Sequence, residues 1–110
     1  PIAVLSARVG SIGDHRLGGW YSYRASKAAL NMMLKCAAQE LKRLNPRAKL
    51  IAYHPGTVDT PLSKPFQSSV QESTLLSAAS AAEALERVLG EAPMDGELSY
   101  LDWRGEAIPW

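Results

Sequence analysis

A chain of 110 residues makes one domain at most, and its 46% hydrophobic content is ordinary for a globular fold, which excludes a disordered tail. Twelve basic residues against eleven acidic ones give a formal charge of +1 with no run of like charges, so no nucleic-acid partner is expected. No apolar stretch approaches the ~20 residues of a membrane span and the opening "PIAVLSARVG" lacks the basic start of a signal peptide, so the reading is a cytoplasmic protein with no membrane partner.

The first element is "IAVLS", Ile2 to Ser6, an apolar run without alternation that suits a strand buried on both faces of a parallel sheet. "ARVGSIGDHRLGG" follows with four glycines in thirteen residues and is loop. From about Tyr21 to Leu44 runs the longest helical signal, ended by Asn45 and Pro46 because proline cannot continue the hydrogen-bond ladder. "AKLIAYHPG" returns to strand, and strand, long helix, strand is a βαβ crossover with parallel pairing. Pro61 to about Ser77 reads as a loop with a short helix, whose only charges are Lys64 and Glu72. "SAAEALERVLG" then reads as a helix with a capping box at Ser80 and Glu83, closed by Gly90. Gly96 to Trp103, "GELSYLDW", is the last strand.

On the long helix, Tyr23, Lys27, Leu30, Leu34, Ala38 and Leu41 share one stripe, which should face the sheet. Ala25, Ala29, Met32 and Cys36 form an opposite stripe, with Arg24, Asn31, Lys35 and Lys42 between the two. Small apolar residues on a helix back suit a second partner. Cys36, the single cysteine, excludes an internal disulfide, offers no zinc set with only His15 and His54 for company, and reads as a small packing residue; no metal is expected.

The start of that helix, "YSYRASKAAL", raises a chemical question. A phenol titrates near ~10 and is a poor proton donor at neutral pH unless its ionised form is stabilised, as by a nearby ammonium. Residues four apart lie one above the other on a helix, so Tyr23 has Lys27 at that spacing while Tyr21 has only Ala25. Tyr23 is the candidate acid.

"YSYRASKAAL" resembles the Tyr-x-x-x-Lys segment of the short-chain dehydrogenase/reductases, and "HPGTVDT", His54 to Thr60, resembles that family's Pro-Gly motif after the next strand. With the terminal "IPW", the chain is similar to the C-terminal half of these enzymes, nearest the carbonyl-reductase-like branch that includes the C-factor signalling proteins. The resemblance implies an α/β fold, the C-terminal half of a Rossmann-type doubly wound parallel sheet. Residues 1–110 would be the active-site half of the domain, with the dinucleotide-binding half lying outside them. The implied activity is hydride transfer between a nicotinamide and a small carbonyl or alcohol substrate, with Tyr23 as general acid/base and Lys27 assisting it and holding the nicotinamide ribose. Pro55, Gly56, Thr57, Val58 and Thr60 would line the carboxamide side of the cofactor, NAD or NADP with NADP preferred. A homodimer or homotetramer through the 21–44 helix is implied as well. The alternative is a non-catalytic interaction or cell-cell signalling protein of the C-factor type, or an inactive fragment.

The third catalytic residue departs from the family pattern. Aligned on Gly10, the usual serine falls on Ala7, with Ser6 one residue early and Ser11 four residues late. Ser6 is preferred because it holds the first place of the family's Ser-Ser pair, provided the strand has ended there, and Ser11 is the alternative. The family's phosphate-binding glycine loop and its catalytic asparagine have no equivalent in these residues.

Overall fold

The computed structural model describes residues 1–69 and 74–110. Its main sheet holds three parallel strands, β1 (Ile2–Leu5), β2 (Leu50–His54) and β5 (Leu98–Asp102), in the order β1-β2-β5. Ile2 lies opposite Leu50, and Leu50 opposite Leu98. The first crossover is α1 (Tyr21–Leu44), and the second carries α2 (Ala78–Glu91). A smaller parallel pair joins β3 (Thr57–Val58) to β4 (Leu75–Leu76).

Alternation along β2 explains why both faces are covered. Leu50 and Ala52 pack with Leu34 and Ala38 of α1, together with Tyr100 and Ile108. Ile51 and Tyr53 point the other way, onto Val88, Leu85 and Leu89 of α2. Successive strand side chains alternate faces, so a central strand sandwiched by helices must be apolar at every position. Ile51 is fully buried, which contributes about 1.5–3 kcal/mol. β1 is different: among the described residues it pairs only with β2, and Ile2 and Leu5 are each 58% exposed.

α1 runs over the expected residues, with Leu34 and Ala38 buried on the stripe that faces the sheet. Asn45 ends it, its amide donating to Leu41 O at 2.7 Å. Three expectations are corrected. The run Ile2–Ser6 is not a strand buried on both faces, because β1 lies at the edge of the sheet and leaves Ile2 and Leu5 exposed. Asn31, between the two stripes of α1, is buried, and Ser6 at the end of β1 donates to its Oδ1 at 2.6 Å. Cys36 is exposed, so it is not a packing residue of this fold. α2 begins earlier than a capping box at Ser80 requires: Ser77 is the cap, its hydroxyl accepting from the Ser80 amide at 3.1 Å, and Gly90 lies inside the helix, which ends at Ala92 before Pro93. Ala78 and Ala79 are strong helix formers, so the first serine that can accept from an amide three residues on takes the cap. The 61–77 loop includes a turn of 3-10 helix, Lys64–Ser69, and the strand β4, which the sequence did not announce; Glu72 lies outside the described residues.

Candidate active site

Parallel strands deliver their carboxyl ends to one edge of the sheet, where open α/β folds leave a crevice. Here the ends of β1 and β2, the start of α1 and the 55–66 segment enclose an open cleft of about 800 Å³. One wall is the Ser6–Val9 turn, the opposite wall runs from Pro55 to Val58 and on through Thr60 and Phe66, and Trp20 to Tyr23 lie between them. The structure therefore brings Ser6, Tyr23, Pro55, Gly56, Thr57, Val58 and Thr60 to one cavity.

Lys27 stands just behind that wall. Its ammonium is 5.7 Å from the centre of the Tyr23 ring and donates to the Leu5 carbonyl at the end of β1, at 3.2 Å. The helical spacing of four thus places a cation under the Tyr23 ring and anchors it to the strand. Among the described residues the Tyr23 hydroxyl has no hydrogen-bond partner. Tyr21 also borders the cleft but is 86% exposed, against 46% for Tyr23, and no cation faces its ring among the described residues. Gly10 makes the close fit possible: a Cβ there would lie 2.9 Å from the backbone carbon and Cβ of Lys27, so only glycine lets the turn rest on this stretch of α1.

The two candidate serines differ. β1 ends at Leu5, so Ser6 leaves the alternation of the strand, but its hydroxyl proton is committed to Asn31 beneath the cleft. Ser11 is buried, donates to the Pro109 carbonyl and accepts from the Asp14 amide at 3.0 Å, and it does not border the cleft. Neither presents a free hydroxyl proton to the cavity.

On the opposite wall, Gly56 has φ +81°, and a Cβ there would meet Trp103 at 2.8 Å. Both facts require glycine after Pro55. Thr60 opens the next turn: its hydroxyl oxygen accepts from the Ser63 amide at 3.3 Å, which leaves its own proton available. Trp20 precedes α1 in the left-handed region, φ 52° and ψ 43°, a costly conformation for a bulky side chain. Its ring meets Tyr23 edge-on at 6.1 Å and Phe66 at 5.9 Å, which joins the two sides of the cleft.

Two further groups escaped the sequence reading. His54, at the end of β2, borders the cleft with a buried Nδ1 that has no partner among the described residues, and burial, then the Arg8 charge, lower its pKa to about 4. The imidazole is neutral at pH 7. Arg8 spans from the Ser6–Val9 wall to Asp102 at 2.9 Å and Asp14 at 3.4 Å. Burial raises the Asp102 pKa, but bonds from the Glu106 amide and from Arg104 outweigh it and hold the carboxyl below its usual range. Nothing local in the sequence signals either feature: Arg8 and Asp102 are 94 positions apart.

The profile of the family described as "short chain dehydrogenase" matches residues 8–71, more than half of the chain. The chain is 29% identical over 110 residues to "C-signal" of Myxococcus xanthus, covering 99% of this chain and 60% of that protein. Over 65 residues, 59% of its length, it is 42% identical to "1-hydroxy-2-glutathionyl-2-methyl-3-butene dehydrogenase" of Rhodococcus sp. (strain AD45), of which it covers 28%. It also superposes on NADPH-bound carbonyl reductase from chicken fatty liver with a TM-score of 0.79 and 27% identity, over 98% of this chain and 42% of that one. The chain thus spans between about a quarter and three fifths of the length of these relatives. Because the family match runs from the cleft turn through α1 and β2 to the opposite wall, the chain belongs to the short chain dehydrogenase family.

Proposed function

We propose that the protein is an oxidoreductase that interconverts a carbonyl and an alcohol with NADP, Tyr23 acting as general acid/base. The observation that carries this reading is the Tyr23–Lys27 pair at the strand ends: a phenol with an unengaged hydroxyl facing the cleft, and an ammonium 5.7 Å from its ring fixed on Leu5 O. An ammonium at that position stabilises the negative charge left on the phenol oxygen when its proton moves to the substrate. The family and the NADPH-bound relative support the choice of cofactor.

The residues present fit the nicotinamide end of such a dinucleotide. Lys27 spends one of its three N–H bonds on Leu5 O and keeps two for ribose hydroxyls. Thr60 keeps a hydroxyl proton, and the backbone from Pro55 to Val58 borders the same cavity. When bound, the nicotinamide supplies or accepts the hydride. Tyr23 supplies or accepts the proton on the substrate oxygen. Trp20, Leu62 and Phe66 line an apolar side of the cleft, suited to the carbon part of a substrate. Ser6 orients the carbonyl only by releasing Asn31, since its proton is otherwise spent.

The test uses the full gene product. Tyr23→Phe is expected to cut carbonyl reduction by at least roughly 10²-fold while Tyr21→Phe keeps most of it. Equal losses overturn the assignment.

The match to C-signal over nearly the whole chain supports a second reading, an interaction or signalling protein of that type, and the outer face of α1 is the surface it would use. Ala25, Ala29 and Cys36 are exposed on its outer face, as are Met32 at 64% and Met33 at 67%. We infer a homodimer or homotetramer in which this face meets its own copy about a two-fold axis. Ala29→Glu should then shift the mass seen by light scattering toward monomer, and an unchanged mass would count against this face.

A further inference from the structure

The Ser6–Val9 wall of the cleft sits at the head of a glycine-rich loop, yet it is tied down from both ends by residues that do not border the cleft. Tyr100 of β5 donates its hydroxyl to the Ala7 carbonyl at 2.5 Å. Past the wall, the amides of Ile12 and Gly13 both donate to one acceptor, the backbone oxygen of Trp110, at 2.8 and 3.1 Å, and Ser11 donates to the Pro109 carbonyl. The two anchors are themselves joined, because the Tyr100 and Trp110 rings stack at 4.8 Å and 29°. Burial raises the Tyr100 pKa, so the phenol stays a donor throughout the neutral range.

We propose that the stacked Tyr100–Trp110 pair is a clamp whose two residues position the Ser6–Val9 wall against Tyr23 from behind. One ring holds the start of the loop through Ala7, and the other fixes residue 110, whose backbone oxygen holds the loop at Ile12 and Gly13. Besides these anchors the wall is held by Ser6, whose amide donates to Tyr53 O at 2.8 Å and whose hydroxyl donates to Asn31, by the Arg8 ion pairs, by the contact of Gly10 with α1 and by two short bonds of its own, from the Gly10 amide to Ala7 O and from the Ser11 amide to Arg8 O. Tyr23 and Lys27 ride on α1 and do not depend on the clamp. Loosening it therefore moves one wall of the cleft while the acid/base pair stays in place, and a misplacement of about an ångström is enough to cost up to about 10²-fold in rate. The kinetic consequence rests on the oxidoreductase reading; the hold on the loop does not.

The experiment compares hydrogen exchange and steady-state kinetics of the full gene product with those of Trp110→Ala, Trp110→Phe and Tyr100→Phe. Trp110→Ala is expected to speed exchange in peptides covering residues 7–15 by about tenfold, with β2 and the middle of α1 unchanged, because only the local opening equilibrium shifts. Its kcat should fall about tenfold while the KM for NADPH holds, and Trp110→Phe, which keeps an aromatic stack, should restore both. Tyr100→Phe keeps the stack and loses the hydroxyl, with its bond to Ala7 O and its hydrogen-bonding contact with the Ser6 and Asn31 side chains, so its effect should be smaller and confined to the first residues of the loop. Wild-type exchange in 7–15 for Trp110→Ala, or an equal rise in β2, overturns the clamp. A loosened loop with an unchanged kcat overturns its positioning role. Absence of turnover in the wild-type protein would instead sink the oxidoreductase reading, and the exchange measurement would still decide the clamp.

Discussion

The two walls of the cleft are built in opposite ways. The Ser6–Val9 wall is held by bonds that span the chain: Arg8 to Asp102, Tyr100 to Ala7, and Ser6 to Asn31. Residues 57–67 are held mostly by their own neighbours, with Ser63 bonded to Thr60 and to Val58 O and Gln67 bonded to Asp59 and Ser63. Among the described residues the longer links there are the two-residue β3–β4 ladder, the Asp59 amide on Leu76 O at 2.7 Å, and the edge contact of Phe66 with Trp20. Long-range bonds tie a segment to the global stability of the fold, whereas short-range bonds let it open by itself. The difference predicts that the 57–67 side opens before the Ser6–Val9 side does.

The sharpest way to break that contrast is Gly10→Ala. The new methyl would press on backbone and Cβ atoms of Lys27 at 2.9 Å, which a helix cannot yield cheaply, so a loss of about 1–3 kcal/mol is expected together with reduced turnover. Urea titration of the variant measures it. A stability within error of wild type would show that the turn is not seated on α1.

A smaller effect is expected at the base of the cleft, where His54 sits between the walls. Its pKa is lowered from 6.5 to about 4, so between those values the unfolded chain binds a proton that the folded one does not. Stability should therefore fall as pH drops from about 6.5 to about 4, by less than about 1.4 kcal/mol per pH unit, since the group is partly exposed. His54→Gln should flatten that segment of the curve. An unchanged slope in the variant would assign the acid loss to other groups.

The mildest change belongs to the 57–67 side. Phe66 is 58% exposed, so Phe66→Ala should alter stability by less than about 1 kcal/mol while shifting the KM for apolar carbonyl substrates several-fold. A change in kcat with KM constant would move Phe66 from the substrate side to the chemistry.

Local chemistry was enough for much of this protein. The 3.6-residue period and Pro46 define α1, and the same spacing pairs Tyr23 with Lys27, because neighbours on a helix are neighbours in sequence. The unbroken apolar run of β1 suggested a strand covered on both faces, but the structure leaves Ile2 and Leu5 exposed and gives that cover to β2, which has a strand on either side. α2 was legible as a helix but not at its ends, because Ser77 and Ser80 both offer a cap and local propensity does not choose between them. The rest depended on partners distant in sequence. β3 and β4 are two residues each and exist only as a pair. Asn31 is buried where Ser6 meets it, and Cys36 is exposed because the core closes on the other side of α1. The Arg8–Asp102 bridge and the Tyr100–Trp110 stack join segments whose patterns carry no trace of each other. Sequence alone determined that Tyr23 and Lys27 meet, since that depends on residue type and helical spacing. Tertiary structure alone decided how the wall facing Tyr23 is held, because those bonds form only once β5 and residues 108–110 have packed beside the loop.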